Sequence, residues 1–285
     1  MDQTAPGFTY SHPGQSTFRR GLIRTVECLS GQPMLRNLYL DWAAAPPPGE
    51  TVFDAALRLL RIGAAPFWHA PMGAIPATGG LLIVANHPFG IVDGLLLGQL
   101  GLRLRGNVQI LTNSVLCQPP EIGPHLLPID FSGSAEARRA SARSRRLAAE
   151  LLAAGKVVAV FPAGGIATAN APLRGAAHDA PWHGFVGRLA TVPGVTTLPV
   201  YFEGRNSRLF QIASHLSYPL RLAMIFHETR RLMGARIGMH LGAPLGSADL
   251  ARLPKEDIAP HLRQQVMRLG GHRDEVFRWP AHVKC

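Results

Sequence analysis

The sequence predicts an α/β fold, a mostly parallel or mixed sheet flanked by helices, with amphipathic helices at its N-terminus. Two observations predict it. Short apolar runs, Leu81 to Ala85, Lys156 to Phe161 and Val195 to Phe202, alternate with helical patterns through most of the chain, as they do in sheets buried on both faces. Each run feeds a loop of polar and small residues, at 86–93, 162–168 and 203–207. If the three strands are parallel, those loops gather at one edge of the sheet, where open α/β sheets bind ligands.

The elements follow in order. Met1 to Gly14 is polar and rich in Gly and Pro, and lacks the charged start and apolar centre of a signal peptide; a frayed tail and a cytoplasmic protein are expected. Thr17 to Leu29 sets Phe18, Leu22, Ile23, Val26 and Leu29 at helical spacing, with Arg19, Arg20 and Arg24 elsewhere on the turn. Met34 to Ala45 continues with Leu35, Leu38, Tyr39 and Trp42, and Pro46-Pro47-Pro48-Gly49 is a break. Thr51 to Asp54 reads as a capping box, and Phe53, Ala56, Leu57 and Leu60 form an apolar face beside Arg58 and Arg61. Helices of this kind either lie on a membrane surface or cover a core. Two sections result: a tail and helical section, 1–63, and an α/β domain, 64–285.

Residues 64 to 80 read as a Gly/Pro-rich connection holding Trp68 and His69. Leu81 to Ala85 is a buried strand, Asn86 to Gly90 a turn, and a buried helix begins near Asp93. His87 and Asp93 are the polar groups of this stretch, placed either for chemistry or for capping the helix. Val108 to Leu111 and Leu126 to Phe131 are further strands. Ser134 to Ala154 is a helix with Leu147, Leu151 and Leu152 facing inward. Its arginines, Arg138, Arg139, Arg143, Arg145 and Arg146, form a solvated face or a dock for an acidic carrier protein. Gly155 closes that helix. The strand at 156–161 runs into Pro162-Ala163-Gly164-Gly165, where paired glycines make an ordinary turn or let the backbone approach an anionic ligand. Phe185 to Ala190 is a helix, Glu203 to Asn206 a polar loop, Leu220 to His227 and Arg236 to Leu241 two more strands, and Arg252 to Leu269 a terminal helix.

Composition excludes several classes. The chain has 285 residues, 47% of them hydrophobic, enough for a sizeable core. No apolar stretch reaches the ~18 residues of a spanning helix. Three cysteines, Cys28, Cys117 and Cys285, are odd in number and far apart, and there is no CxxC pair; neither a disulfide framework nor a metal site is expected. The net charge of +11 suits a nucleic acid, an anionic bilayer or an acidic partner. No zinc-finger spacing or RNP-like run favours nucleic acid. There is no GxSxG elbow, and Ser114 lies in no such motif. Position 231 is Arg231 where an HExxH site starting at His227-Glu228 needs histidine, and Asn107 stands where a P-loop needs lysine.

NHPFGIVDG, FPAGGIAT and LPVYFEGRNSRLFQIASH, in this order and spacing, resemble the lysophospholipid acyltransferase superfamily (PlsC-like), and within it the hemolysin-like or lyso-ornithine-lipid acyltransferase-like branch. The resemblance covers about residues 80 to 245. It implies transfer of a fatty acyl group from a thioester, on acyl carrier protein or coenzyme A, to a hydroxyl of a lysolipid. His87 matches the family's catalytic histidine and Asp93 its partner acid. Phe161, Pro162 and Gly164 match the FPxG loop that helps bind the acceptor, and Pro199 lies in the last block. Asn86, Gly90, Gly165, Glu203 and Arg205, in or beside the same blocks, complete the expected substrate-binding set. The acyl thioester is a substrate, and no bound cofactor or metal is implied. The expected location is cytoplasmic, peripheral on the inner face of the plasma membrane.

The chemistry agrees. A lipid hydroxyl is a poor nucleophile, and an imidazole with a pKa of about 6.5 can take its proton during attack. A carboxylate on the other ring nitrogen fixes the tautomer and stabilises the imidazolium. The oxyanion needs donors, for which backbone N–H groups near Gly90 or Gly164 are candidates.

Three departures stand out. The family's HxxxxD pattern is one residue shorter than His87 to Asp93, which on a regular helix would swing Asp93 by ~100°, unless Gly90 bends the chain. Ala163 replaces the usual glutamate of FPEG. The block at Pro128-Ile129-Asp130-Phe131 lacks the arginine of phosphate-acceptor members, which favours a head group other than simple phosphate. Glu203 and Arg205 would then read that head group, or form a structural ion pair. Two other readings remain open: a lipid or thioester hydrolase, and a non-catalytic protein that binds lipid or membrane.

Overall fold

The computed structural model describes residues 16–113, 120–130, 134–272, 279–280 and 282–283, with residues 9, 11 and 14, and excludes the side chains of Arg19 and Leu22. Ser114, Cys117, Phe131, Cys285 and most of the N-terminal tail lie outside the described residues.

Three helices come first: α1 (Thr17–Ser30), α2 (Gln32–Ala44) and α3 (Val52–Leu60). The hydroxyl of Thr51 accepts the Asp54 N–H at 3.1 Å and starts α3. Then follow β1 (Gly63–Trp68), β2 (Leu81–Ala85), α4 (Ile91–Arg105), β3 (Gln109–Asn113), β4 (Leu126–Ile129), α5 (Ala135–Ala153) and β5 (Val157–Val160). A two-residue ribbon, β6 (Thr168–Ala169) with β7 (Ala177–His178), leads to α6 (Phe185–Ala190) and β8 (Thr196–Phe202). The chain continues through α7 (Arg208–Leu216), α8 (Tyr218–Arg231), β9 (Arg236–Leu241), β10 (Leu245–Gly246), α9 (Ser247–Leu250) and α10 (Lys255–Leu269).

The main sheet runs β1-β9-β8-β2-β5-β3-β4, with β10 paired to β8. Its pairs are parallel except β8 with β9 and β8 with β10. Pro199 occupies the stretch of β8 between its pairing with β10 and its pairing with β9, so its missing N–H interrupts neither ladder. The two edge strands, β1 and β4, each carry a proline, Pro66 and Pro128.

Alternation along β2 splits the core in two. Leu81 and Ile83 join Phe53 and Leu57 of α3 and Leu96 of α4 on one face. Leu82 and Val84 join Leu152 of α5, Val186 of α6 and Leu262 of α10 on the other. All five β2 residues are buried, and a strand buried on both faces has to be apolar throughout. A third cluster ties α1 (Ile23) to α7 (Phe210) and α8 (Met224, Ile225, Phe226). The helical N-terminal section thus packs on the sheet through α3 and on α8 through α1, and leaves Phe18 and Leu29 exposed.

Three readings of the sequence are corrected. Residues 64–80 are not all connection: Gly63–Trp68 is the edge strand β1, pairing with β9. Leu220 to His227 is helix, within α8. Apolar residues at 220, 222, 224 and 226 mimic a strand because Arg221, on the buried side, interrupts the helical period. On α5 the buried stripe is Ala137, Ser141, Ser144, Ala148 and Leu152, while Leu147 is exposed and Arg145 half-buried. Small residues let α5 lie close to the sheet, and Ser141 and Ser144 bond the carbonyls of Asp130 and Pro128.

Candidate active site

Strands β8, β2 and β5 are neighbours and parallel, so the three loops after them gather at one edge. At the end of β2, Asn86 uses its whole amide on β8: its oxygen accepts the Phe202 N–H at 2.7 Å and its nitrogen donates to the Phe202 carbonyl at 3.0 Å. The next residue, His87, is held by its backbone on both sides. Its N–H donates to Asp179 Oδ1 at 3.0 Å, and its carbonyl accepts the Ala167 N–H at 2.7 Å.

Gly90, at φ 95° and ψ −96°, turns the chain into α4, a conformation that L side chains rarely adopt. His87 therefore precedes the helix, and Asp93 lies in its first turn. The extra residue between them is absorbed in that bend, and His87 Nδ1 stands 3.1 Å from Asp93 Oδ2. Asp93 is 0% exposed. Its Oδ2 also accepts the Phe89 N–H at 2.9 Å, and its Oδ1 accepts the Gly94 N–H at 3.0 Å. Both oxygens are thus acceptors from backbone donors, so in the neutral imidazole Nδ1 carries the ring proton and Nε2 the lone pair. No hydrogen bond among the described residues engages Nε2.

The ring of His87 stacks on Phe161 at 4.0 Å between centroids. Beyond Phe161 the loop turns tightly. Gly164 gives its N–H to the Phe161 carbonyl at 3.0 Å, which removes it from the candidate oxyanion donors, and the Pro162 carbonyl accepts the His183 N–H. Arg221, from α8, donates to the Ile166 carbonyl and the Thr168 hydroxyl and fixes the far side of the loop.

A cavity of about 310 Å³ opens here, lined by His87, Gly90, Phe161, Gly164 and Gly165. It crosses the edge of the sheet. Leu35, Leu38 and Trp42 of α2 and Phe53, Ala56 and Leu59 of α3 line it on one face; Arg145 of α5 and Phe185 of α6 line it on the other. Pro162 and Asn86 lie behind this lining. Glu203 and Arg205 lie outside it and do not pair with each other: Glu203 Oε1 bonds His240 Nε2 at 2.6 Å, and Arg205 donates to the Gly175 carbonyl.

A family model for acyltransferases matches residues 22–268. The chain belongs to this acyltransferase family. Among curated proteins, the lyso-glycine lipid O-acyltransferase of Phocaeicola vulgatus is 29% identical over 157 residues. That match takes in 53% of each chain, so this chain spans about half the length of the relative. Among solved structures, the 1-acyl-sn-glycerophosphate (LPA) acyltransferase PlsC from Thermotoga maritima overlaps with a TM-score of 0.47 at 14% identity, covering 90% of this chain and 83% of that one.

In this family member, sequence reasoning misses three residues of the site, Asp179, His183 and Arg221, and reads a fourth, Arg145, only as part of a solvated face or a carrier-protein dock. All four lie outside the three motif blocks: Asp179 and His183 in the segment between β7 and α6, Arg145 on α5 and Arg221 on α8. Asp179 is buried, and burial pushes its carboxyl up to about 6 despite the bonds from the His87 N–H and Trp182 Nε1. Burial, with the charge of Arg145 second, pushes His183 below its ordinary value. The tryptophan three residues after Asp179 is the one local hint: a buried carboxylate needs donors close by.

Proposed function

We propose that the chain is an O-acyltransferase that moves a fatty acyl group from an acyl thioester, on acyl carrier protein or coenzyme A, to a hydroxyl of a lysolipid. One observation carries the reading: an imidazole with Nδ1 held by a buried carboxylate and Nε2 unengaged borders a mostly apolar cavity. His87 Nε2 takes the acceptor's hydroxyl proton as that oxygen attacks the thioester carbonyl. Asp93 stabilises the imidazolium through Nδ1. The first N–H groups of α4, at Gly90 and Ile91, lack intrahelical acceptors and border the cavity; they receive the oxyanion. Collapse breaks the carbon–sulfur bond, and the thiolate leaves with the proton from His87. The wall made by α2 and α3 takes the acyl chain.

The proposed acceptor class follows the curated relative's name and the family match. Membrane contact is supported by Phe18 of α1, 83% exposed, and Leu216 of α7, 72% exposed, on two helices that both pack on α8. Among the described residues no helix is long and apolar enough to cross a membrane, so the contact proposed is peripheral.

The test is transfer from labelled acyl carrier protein and, separately, acyl-coenzyme A to a panel of lysolipids, with wild type beside His87→Ala. Diacyl product from wild type alone is expected. Free fatty acid without lipid product would make the protein a hydrolase. No His87-dependent turnover from folded protein that binds vesicles would make it a lipid-binding protein.

A further inference from the structure

The cavity carries charge of one sign. Among its described lining residues there is no aspartate or glutamate, and there are two arginines, Arg145 and Arg221. Arg221 is committed to the Ile166 carbonyl and the Thr168 hydroxyl. Arg145 is not so committed. Its Nε is enclosed and meets no acceptor. Its guanidinium carbon lies 5.0 Å from the centroid of the Phe185 ring, and no carboxylate among the described residues forms an ion pair with it. His183 also lines the cavity, and burial, with the charge of Arg145 second, disfavours its charged form. An enclosed N–H without an acceptor, here Arg145 Nε, is destabilising unless a ligand supplies one.

The geometry points to an anion subsite at Arg145 that takes the charged head group of the acceptor lipid. The inference rests on the acyl-transfer reading of this cavity and adds the acceptor's chemistry to it. The apolar wall of α2 and α3 and the Arg145 wall lie on opposite faces of the sheet, with His87 at the edge between them. A chain buried on the first face and a head group held on the second bring thioester and hydroxyl together at Nε2. The planar guanidinium fork, braced on Phe185, suits a carboxylate bound by two parallel hydrogen bonds, and it also accepts a phosphate. His183, lining the same cavity, offers a further hydrogen bond to the bound anion.

The test compares three acceptors with wild type, Arg145→Gln and Arg145→Lys: a lysolipid with a glycine head group, the same lipid with its carboxylate capped as an amide, and lysophosphatidate. Wild type is expected to prefer the carboxylate over the amide by about 10- to 100-fold in kcat/KM, mainly through KM. Arg145→Gln should abolish the preference and Arg145→Lys restore part of it, with donor KM unchanged and all three proteins equally folded by thermal unfolding. Lysophosphatidate favoured over the carboxylate, with that preference lost in Arg145→Gln, keeps the anion subsite and makes phosphate its ligand. A preference that survives Arg145→Gln, or a rise in donor KM alone, overturns the inference and leaves acyl transfer standing. If wild type transfers to no acceptor, the functional reading fails, and binding of the carboxylate and amide lipids is followed by tryptophan fluorescence, since Trp42 lines the cavity. Tighter, Arg145-dependent binding of the carboxylate then supports the subsite, and equal binding overturns it.

Discussion

Replacing Asp93 with asparagine separates the orienting role of this carboxylate from its bulk. Three donors face its two oxygens: His87 Nδ1 at 3.1 Å and the Phe89 N–H at 2.9 Å on Oδ2, and the Gly94 N–H at 3.0 Å on Oδ1. Asparagine has one oxygen and one NH2 to set against them. With its oxygen toward His87, the bonds to His87 and Phe89 survive and the NH2 opposes the Gly94 N–H. With its NH2 toward His87, the Gly94 bond survives, the Phe89 N–H is opposed, and Nδ1 has to accept. The ring proton then moves to Nε2 and the base is blocked. Either way one buried donor is lost, at about 1–3 kcal/mol, or a fall in Tm of roughly 2–10 °C for a chain of this size. Because the two orientations cost alike, the blocked tautomer is well populated, and in the other the imidazolium has no counter-charge. The same exchange in a serine protease triad lowers kcat by about 10⁴. The expected outcome for Asp93→Asn is a kcat loss of about 10²–10⁴ with acceptor KM little changed, measured by initial rates of diacyl product beside thermal unfolding. A folded variant within about tenfold of wild type would refute the tautomer argument.

Four further outcomes are expected. Gly90→Ala forces an L residue to φ 95° and sets its Cβ 2.8 Å from Ile166 Cδ1, at about 1–3 kcal/mol; Tm and kcat should fall together, since the bend aligns His87 with Asp93. In Gly98→Ala the new Cβ would run into the Phe53 ring; overpacking should cost about 1–3 kcal/mol in denaturant unfolding, and Phe53→Leu should recover part of it. Asp179 has its folded pKa raised from 3.8 to about 6, so the folded state binds more protons between those values and its stability falls as pH rises through that window. Asp179→Asn lacks this slope; Tm of wild type minus variant should therefore shrink from pH 4 to pH 7, and a constant difference would sink the assignment. Ala56→Trp fills the α2–α3 end of the cavity and should shift donor preference to shorter acyl chains in competition assays with mixed thioesters.

The sequence carried the central layer well. Where a strand is buried on both faces, as β2 and β5 are, residue type alone marks it, and the loop that follows is then placed by the parallel rule. His87 and Asp93 were legible for the same reason: polar residues at the end of an apolar run have few bland explanations. Their pairing was legible only through the family resemblance and on the condition of a bend at Gly90, because no side-chain pattern encodes that bend. Edge strand β1 was hidden because an edge needs only one buried face and tolerates Pro66. Helix α8 was hidden by Arg221, a charge turned inward to hold two oxygens of a loop more than fifty residues earlier in the chain. Arg145 illustrates the limit: five arginines on one helix look alike in sequence, and only the register set by Ser141, Ser144 and Ala148 sends one of them into the cavity.

If the chain works at a lipid surface, as proposed above, the prolines of the two edge strands have a consequence there. A protein concentrated on a membrane meets its own copies often, and an open strand edge is the usual route to sheet-to-sheet growth. Pro66 in β1 and Pro128 in β4 each remove a donor from a border of the sheet, so neither border offers a full ladder to an incoming strand. Self-association through β-strand addition is thereby disfavoured at both ends of the sheet, whatever the local concentration of copies.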